Sequence, residues 1–421
     1  MREIWNLFKP KLSPAKMSML LSVWMCCLFY LLFQGGKTSI MLFAMVTLFG
    51  LYLLFGGLNG IARARGERQF SGEPGEWGGV LHAGDQIRVR LHLEIPGFLP
   101  LPYVIVRETL KRHSGETWSF EESLVPSLNG RGELLFQTPP LERGRYAFSE
   151  TECVTEDIFG LIEHRGSFSA RGEFRVLPRT AHIAKWQLLD RRNRLLGPQS
   201  VGHVSGRETN QVGGVRDYVY GDRISRIHWN ATARTGEWKS KEFEYESIPK
   251  TMVVLDTYEN HYRSARQFET AVSTAASLLE YGGRESIPMG LCSLGREVRV
   301  FEPAQGRSRL HAMMDHLVDL DPKGGGSLLT GLESALTRLP KGVILVVLTP
   351  LSDGPVMELV RFAQTHQMSF CHVQIAEAPG SEGESSNASR QWASSLRTKG
   401  VAAYRVGGLD ELPAVLEGGI R

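Results

Sequence analysis

Cysteine and surplus charge are both scarce in this chain. Its five cysteines among 421 residues form no CxxC pair, which argues against a zinc ribbon and a disulfide framework. Cys26 and Cys27 lie in an apolar run, while Cys153, Cys292 and Cys371 read as reduced, buried thiols of a cytosolic environment. A formal net charge of +3, from 48 Lys and Arg against 45 Asp and Glu, leaves none of the basic excess with which a nucleic-acid-binding chain neutralises phosphates. Also missing are HExxH, a nucleophile elbow with an ordered Ser, His and acid, and a glycine-rich phosphate loop opening a helix. The GGKT at 35–38 fails that last test, because the position that must be glycine is Leu31.

Long apolar runs, in contrast, are present. Met17–Phe33 and Ile40–Leu58 contain no charged residue and approach the roughly 20 residues that cross a bilayer core. The short QGGKTS connector makes them a helical hairpin with both ends on one side. Arg2, Lys9, Lys11 and Lys16 precede it, Arg63, Arg65 and Arg68 follow it, and the connector carries only Lys37. The positive-inside bias then places the flanks in the cytoplasm. A cleaved signal peptide is the alternative, but no small-residue cleavage site follows the first run. The expectation is a multi-pass plasma-membrane protein, anchored in the lipid bilayer through residues 1–68, with spans at about 17–33 and 40–58 and with both termini and the soluble domains cytoplasmic.

Beyond Gln69 the pattern is that of water-soluble domains. Residues 87–95 alternate strictly between apolar side chains and Arg88, Arg90, His92 and Glu94, as in a half-buried antiparallel strand. Similar stretches at 103–110, 117–121, 133–137, 145–149 and 173–177, separated by Gly, Pro and Asn, predict an immunoglobulin-like β-sandwich over 70–180. His82, His92, His113 and His164 are scattered through it without ligand spacing and read as strand-face or surface residues. After a connecting segment, 181–250, the grammar changes. Apolar strands at 252–256, 287–294, 298–302, 343–348, 368–376 and 402–406 alternate with helical patterns at 268–281, 307–320, 328–338, 355–366 and 409–417. That predicts a doubly wound α/β domain over 251–421. The polar run 377–390, with an idle sequon at Asn387, reads as a loop.

The connecting segment holds the densest charge. Residues 213–246 contain Arg216, Arg223, Arg226, Arg234, Lys239 and Lys241 against Asp217, Asp222, Glu237, Glu242, Glu244 and Glu246. A sign-balanced stretch can satisfy itself as a buried network around Trp229, or it can expose part of itself as a docking surface anchored by Arg, Tyr and Trp. The buried reading is preferred for Asp222, Trp229 and Arg234, with Arg223 and Lys239 exposed. His228, flanked by acids and arginines, is the one titratable group that suggests chemistry; a structural hydrogen-bonding role is preferred for it.

These pieces together resemble the bacterial family called domain of unknown function 58, over nearly the whole chain. The resemblance rests on Arg216, Tyr218, Gly221, Asp222, Arg226, Ile227, Trp229, Ala233 and Arg234, and on ERGRYAF (142–148), DIFGL (157–161) and VLPR (176–179). The family usually has Pro before Gly-Asp; Tyr220 stands here, and a less rigid turn is expected. The resemblance implies a C-terminal domain like the von Willebrand factor type A fold, and a protein that works with a MoxR-type AAA+ ATPase. It also points to a metal loop, which in type A domains reads Asp-x-Ser-x-Ser. Here the loop is Asp256-Thr-Tyr-Glu-Asn260, with both serines replaced. Asp256, Asn260, Ser327 (or Thr330) and Asp353 would form a degenerate set for Mg²⁺; the alternative is a metal-free interaction face with no cofactor. The functional expectation is a membrane-tethered, cytoplasm-facing protein-interaction or scaffold protein whose α/β domain presents a loop face to a protein partner, with a metal-assisted hydrolytic enzyme using Asp256 and Asp353 as the alternative.

Overall fold

In the computed structural model, residues 14–56, 60–71, 80–97, 101–170, 172–189, 207–246, 250–377 and 400–418 are described, with Trp392, Ser394, Leu396 and Thr398. Arg2, Lys9, Lys11 and nearly all of the polar run at 377–390 lie outside them. The chain divides into two compact units, Met1–Leu177 and Pro178–Arg421.

The first unit opens with helices α1 (Pro14–Gln34) and α2 (Lys37–Gly56). Gly35 and Gly36, both at positive φ, make the reversal between them. The helices meet through Trp24, whose Nε1 donates to Thr47 Oγ1 at 3.2 Å and whose ring lies 5.5 Å from that of Phe43. Their outward faces expose Met19, Leu32, Phe33, Met41 and Leu48. Among the described residues, however, no helix is long and apolar enough to cross a membrane. This finding corrects the expected transmembrane hairpin and, with it, the bilayer anchoring and multi-pass placement. What α2 does contact is the DIFGL loop: Phe159 packs edge-on against Phe49 and Tyr52 at 5.0 and 6.1 Å. That loop is shaped by Asp157, whose carboxylate accepts the backbone N–H groups of Phe159, Leu161 and Ile162.

Two sheets follow. β1 (Arg65–Ser71), β3 (Arg88–Glu94) and β6 (Arg131–Gln137) form one, in the order β1-β3-β6. The other contains β2 (Leu81–His82), β4 (Val104–Arg112), β5 (Thr117–Leu124), β7 (Gly144–Phe148), β8 (Thr151–Glu156), β9 (Glu163–Phe168) and β10 (Glu173–Leu177). It runs β2-β10-β7-β4-β8-β9, with β5 on β4. The alternation of β3 turns Val89, Leu91 and Leu93 inward, where Leu91 and Leu93 pack with Val104 and Val106 of β4.

Arg68, counted above as a flank of the hairpin, is instead a fully buried member of β1. Its Nη2 donates to Glu108 Oε2 at 2.6 Å and to Thr151 Oγ1, its Nη1 donates to the Ala170 carbonyl, and its guanidinium lies 4.2 Å from the Phe148 ring centroid. Thr151 donates to the other Glu108 oxygen. Two charges removed from water are tolerable only when paired and hydrogen-bonded in this way; among the described residues, Arg68 Nε alone of its guanidinium nitrogens finds no partner.

The second unit begins with a segment that enters a core. Ile183 and Trp186 are buried in the main hydrophobic cluster, the Trp186 ring edge-on to Tyr281. An antiparallel ribbon, β11 (Arg207–Asp217) and β12 (Lys239–Glu246), follows, with the short helix α3 (Trp229–Thr235) in its connection. The remainder is β13 (Thr251–Asp256), α4 (Ala265–Arg284), β14 (Met289–Leu294), β15 (Arg299–Ala304), α5 (Arg307–Val318), α6 (Leu328–Ala335), β16 (Ile344–Thr349), α7 (Gly354–Thr365), β17 (Ser369–Ile375), β18 (Ala402–Val406) and α8 (Leu412–Gly418). The sheet order is β15-β14-β13-β16-β17-β18, parallel except for β15, which pairs antiparallel at the edge. Successive residues of β13 feed opposite cores: Val253 and Leu255 pack towards α4, Met252 and Val254 towards α6 and α7. Because β13 and β16 are neighbours whose flanking connections diverge, the crevice beyond their carboxyl ends is where an open α/β sheet places a site.

Replacing one half of the buried sandwich pair, Glu108→Ala, strands the Arg68 charge; we expect a loss of about 3–5 kcal/mol in denaturant unfolding. The paired change Arg68→Met with Glu108→Leu is expected to recover most of it.

Candidate functional site

Two centres in the second unit carry the expected site residues. The first lies at the carboxyl ends of β13 and β16. Asp256, the last residue of β13, is completely buried, and its carboxylate is occupied by the protein itself. Oδ1 accepts the Tyr258 N–H at 3.0 Å; Oδ2 accepts the Thr349 hydroxyl at 2.7 Å and faces His261 Nδ1 at 2.8 Å. The Tyr262 hydroxyl donates to the Asp256 carbonyl at 2.6 Å. His261 also hydrogen-bonds the Gly326 backbone, and its pKa is raised, first by the bond to Asp256. Sequence reasoning passed over His261, Thr349 and Tyr262; the signal available was a histidine five residues after a strand-terminal Asp.

The triple glycine covers this centre. Glu259 N–H donates to the Gly324 carbonyl and Lys323 N–H to that of Thr257. A Cβ at Gly326 would lie 2.6 Å from the Tyr258 ring, and one at Gly331 would lie 3.1 Å from its hydroxyl. Tyr258 is therefore wedged beneath the loop, with its phenol pKa raised by burial and by Asp256. The remaining expected ligands lie at the surface. Asn260, Ser327, Thr330 and Asp353 are exposed, Asn260 faces Gly325, and Asp353 accepts the Ser352 hydroxyl at 3.0 Å. Among the described residues no group of three or more His, Cys, Asp or Glu is placed to hold a metal ion. A small cation that demands six oxygen ligands near 2.0–2.1 Å, as Mg²⁺ does, does not fit a carboxylate already bonded to a hydroxyl, an amide and an imidazole.

The second centre is the ribbon. Cross-strand pairing sets Asp217 opposite Lys239, and the two side chains form an ion pair, to which Glu237 adds at 3.5 Å. Arg216 Nη2 reaches Asp222 Oδ1 at 2.8 Å, while Asp222 Oδ2 accepts the Val219 N–H and so closes the turn. Arg216 and then Val219 hold the Asp222 pKa below the usual carboxylate range. Gly221 supplies the positive φ, 113°, that this turn requires. Arg226 is half-buried. His228 caps α3, its Nδ1 accepting the Ala231 N–H at 3.1 Å. The side chains of Glu242, Glu244 and Glu246 lie outside the described residues.

Trp229 and Arg234, expected within a buried network, are on the surface. Trp229 is 60% exposed, Trp238 56% and Tyr220 100%, with Val219 and Ile224 exposed beside them. Tyr218, Trp238 and Trp229 form a line of rings, with centroids 5.7 and 6.3 Å apart. Lys239, expected to be exposed, is mostly covered, its side chain 19% exposed. Arg223 is exposed as expected. The guanidinium groups of Arg223 and Arg234 form no hydrogen bond or ion pair among the described residues.

Both centres fall inside a domain shared with other proteins. Residues 214–377 match the model of the family described as protein of unknown function DUF58. The chain is 25% identical over 292 residues to uncharacterized protein YeaD of Bacillus subtilis (strain 168), covering 68% of this chain and 70% of that protein. Among solved structures, proximal thread matrix protein 1 from the mussel byssus aligns at 12% identity and a TM-score of 0.29, over 40% of this chain and 46% of that one. The C-terminal domain of wzt aligns at 11% identity and a TM-score of 0.21, over 28% and 77%. These two likenesses are too distant to carry an argument.

Gly326→Ala should force the Tyr258 wedge to move and lower stability by about 1–3 kcal/mol, read as a fall in melting temperature. For Asp222, whose folded pKa is depressed below 3.8, the stabilisation is present above the unfolded value and is lost as pH falls through the folded one. The melting-temperature gap between the wild type and Asp222→Asn should be open at pH 6 and close on acidification below the usual carboxylate range.

Proposed function

We propose that this chain is a protein-interaction or scaffold protein that captures a partner on the tip of its ribbon, with a MoxR-type AAA+ ATPase, the class implied by the family resemblance, as the partner to test first. The observation that supports this reading is the exposure of Tyr220, Ile224, Trp229 and Trp238 in one connection, with the Trp229 and Trp238 rings 6.3 Å apart, together with the exposed Arg223 and Arg234. Aromatic rings and arginines are the residues that dominate binding hot spots, and a soluble surface seldom leaves so many large apolar side chains together without a partner. The paired charges Arg216–Asp222 and Lys239–Asp217 serve as the frame that holds this cluster out. An acidic, apolar-anchored surface on the partner is the complement.

The test is a titration of the purified ATPase into the full chain and into Trp229→Ala and Arg223→Ala variants. Trp229→Ala should weaken binding by 2 kcal/mol or more, about 30-fold, with the melting temperature changed by no more than about 2 °C. A collapse of the melting temperature with affinity retained would instead make the segment an internal lock, and an ATPase that does not bind the wild type removes that partner.

A further inference from the structure

The carboxyl end of the sheet is already filled at its centre: Asp256 brings a buried carboxylate to the crevice between β13 and β16. A buried carboxylate needs either a cation or a full set of donors, and here the chain provides the donors. Tyr258 N–H and the Thr349 hydroxyl serve as neutral donors, and His261 Nδ1 stands 2.8 Å from Oδ2. The same ring bonds the Gly326 backbone, so His261 bridges the Asp256 loop and the glycine loop that closes over it. Tyr258 occupies the room beside it, its ring set so closely under Gly326 that even a methyl group there would collide.

We infer that this face is assembled without metal: the His261 side chain, hydrogen-bonded to Asp256 Oδ2, and the Tyr258 ring packed beneath Gly326 take the place a divalent ion would need. The replacements act together. A phenol at 258 offers no short hydroxyl that a small ion could use, and the imidazole on Oδ2 occupies the Asp256 carboxylate. Whatever this face contacts is then independent of Mg²⁺ and insensitive to chelators. The inference stands on Asp256, Tyr258 and His261 alone and does not depend on partner capture by the ribbon.

The experiment uses the full chain. Mn²⁺ and Mg²⁺ are titrated calorimetrically into the wild type, and melting temperatures are compared with and without EDTA. We expect no saturable heat at millimolar ion and no shift on chelation. The double variant Tyr258→Ser with His261→Ala, which clears the seat, should gain saturable Mn²⁺ binding that a further Asp256→Asn abolishes. Should the double variant not fold, His261→Ala alone is taken through the same titration. Saturable Mn²⁺ binding by the wild type that Asp256→Asn removes would overturn the inference, as would a folded, cleared variant that takes up no Mn²⁺.

Discussion

Burying a carboxylate where two parallel strands end is costly unless every lone pair that loses water finds a donor, and the second unit is organised round that requirement at Asp256. The strand must continue far enough to bring Asp256 level with Thr349 of β16. The following loop must curl so that Tyr258 N–H and His261 both turn back onto the carboxylate. Once His261 is held there, its second bond recruits Gly326, and only glycines can bring that backbone down over Tyr258. Strand, loop and cover are thus consequences of satisfying one charge.

The sandwich solves a related problem with the opposite economy. Arg68 and Glu108 bury a full ion pair between the sheets and surround it with Thr151, the Ala170 carbonyl and the Phe148 face. Such a pair adds less to stability than its Coulomb attraction suggests, because desolvation offsets most of it. Its effect is on specificity: a one-residue slip of β1 against β3 would turn Arg68 out and leave Glu108 unpaired.

At the ribbon, charge and apolar surface part company. The acids and bases nearest the strands neutralise one another, as Asp217 with Lys239 and Asp222 with Arg216. The rings and the remaining arginines are displaced outward by that pairing. Sign balance in a sequence therefore does not imply burial: once the frame is paired, the groups left over are the exposed ones, here Trp229, Arg223 and Arg234.

Local pattern alone was enough to locate β3, where period-two alternation leaves no other conformation that hides Val89, Leu91 and Leu93, and β13 and β16, whose unbroken apolar runs must be covered on both faces. It also marked Asp256 and the triple glycine. It was insufficient where burial comes from partners rather than from side-chain character. β8 and β9, in TECVTE and EHRGSF, look polar because Thr151 and Thr155 are buried through hydrogen bonds, and Arg68 looks like a surface charge until Glu108 is opposite it. The apolar runs at 17–33 and 40–58 set helices but not their setting. Helical type and strand period are dictated by neighbours a few residues apart, so the sequence by itself determined them. Which charges are paired, which rings are left outside, and that Thr349 and the Gly326 loop meet the Asp256 centre depend on groups far apart in the chain, and only the tertiary structure decided those.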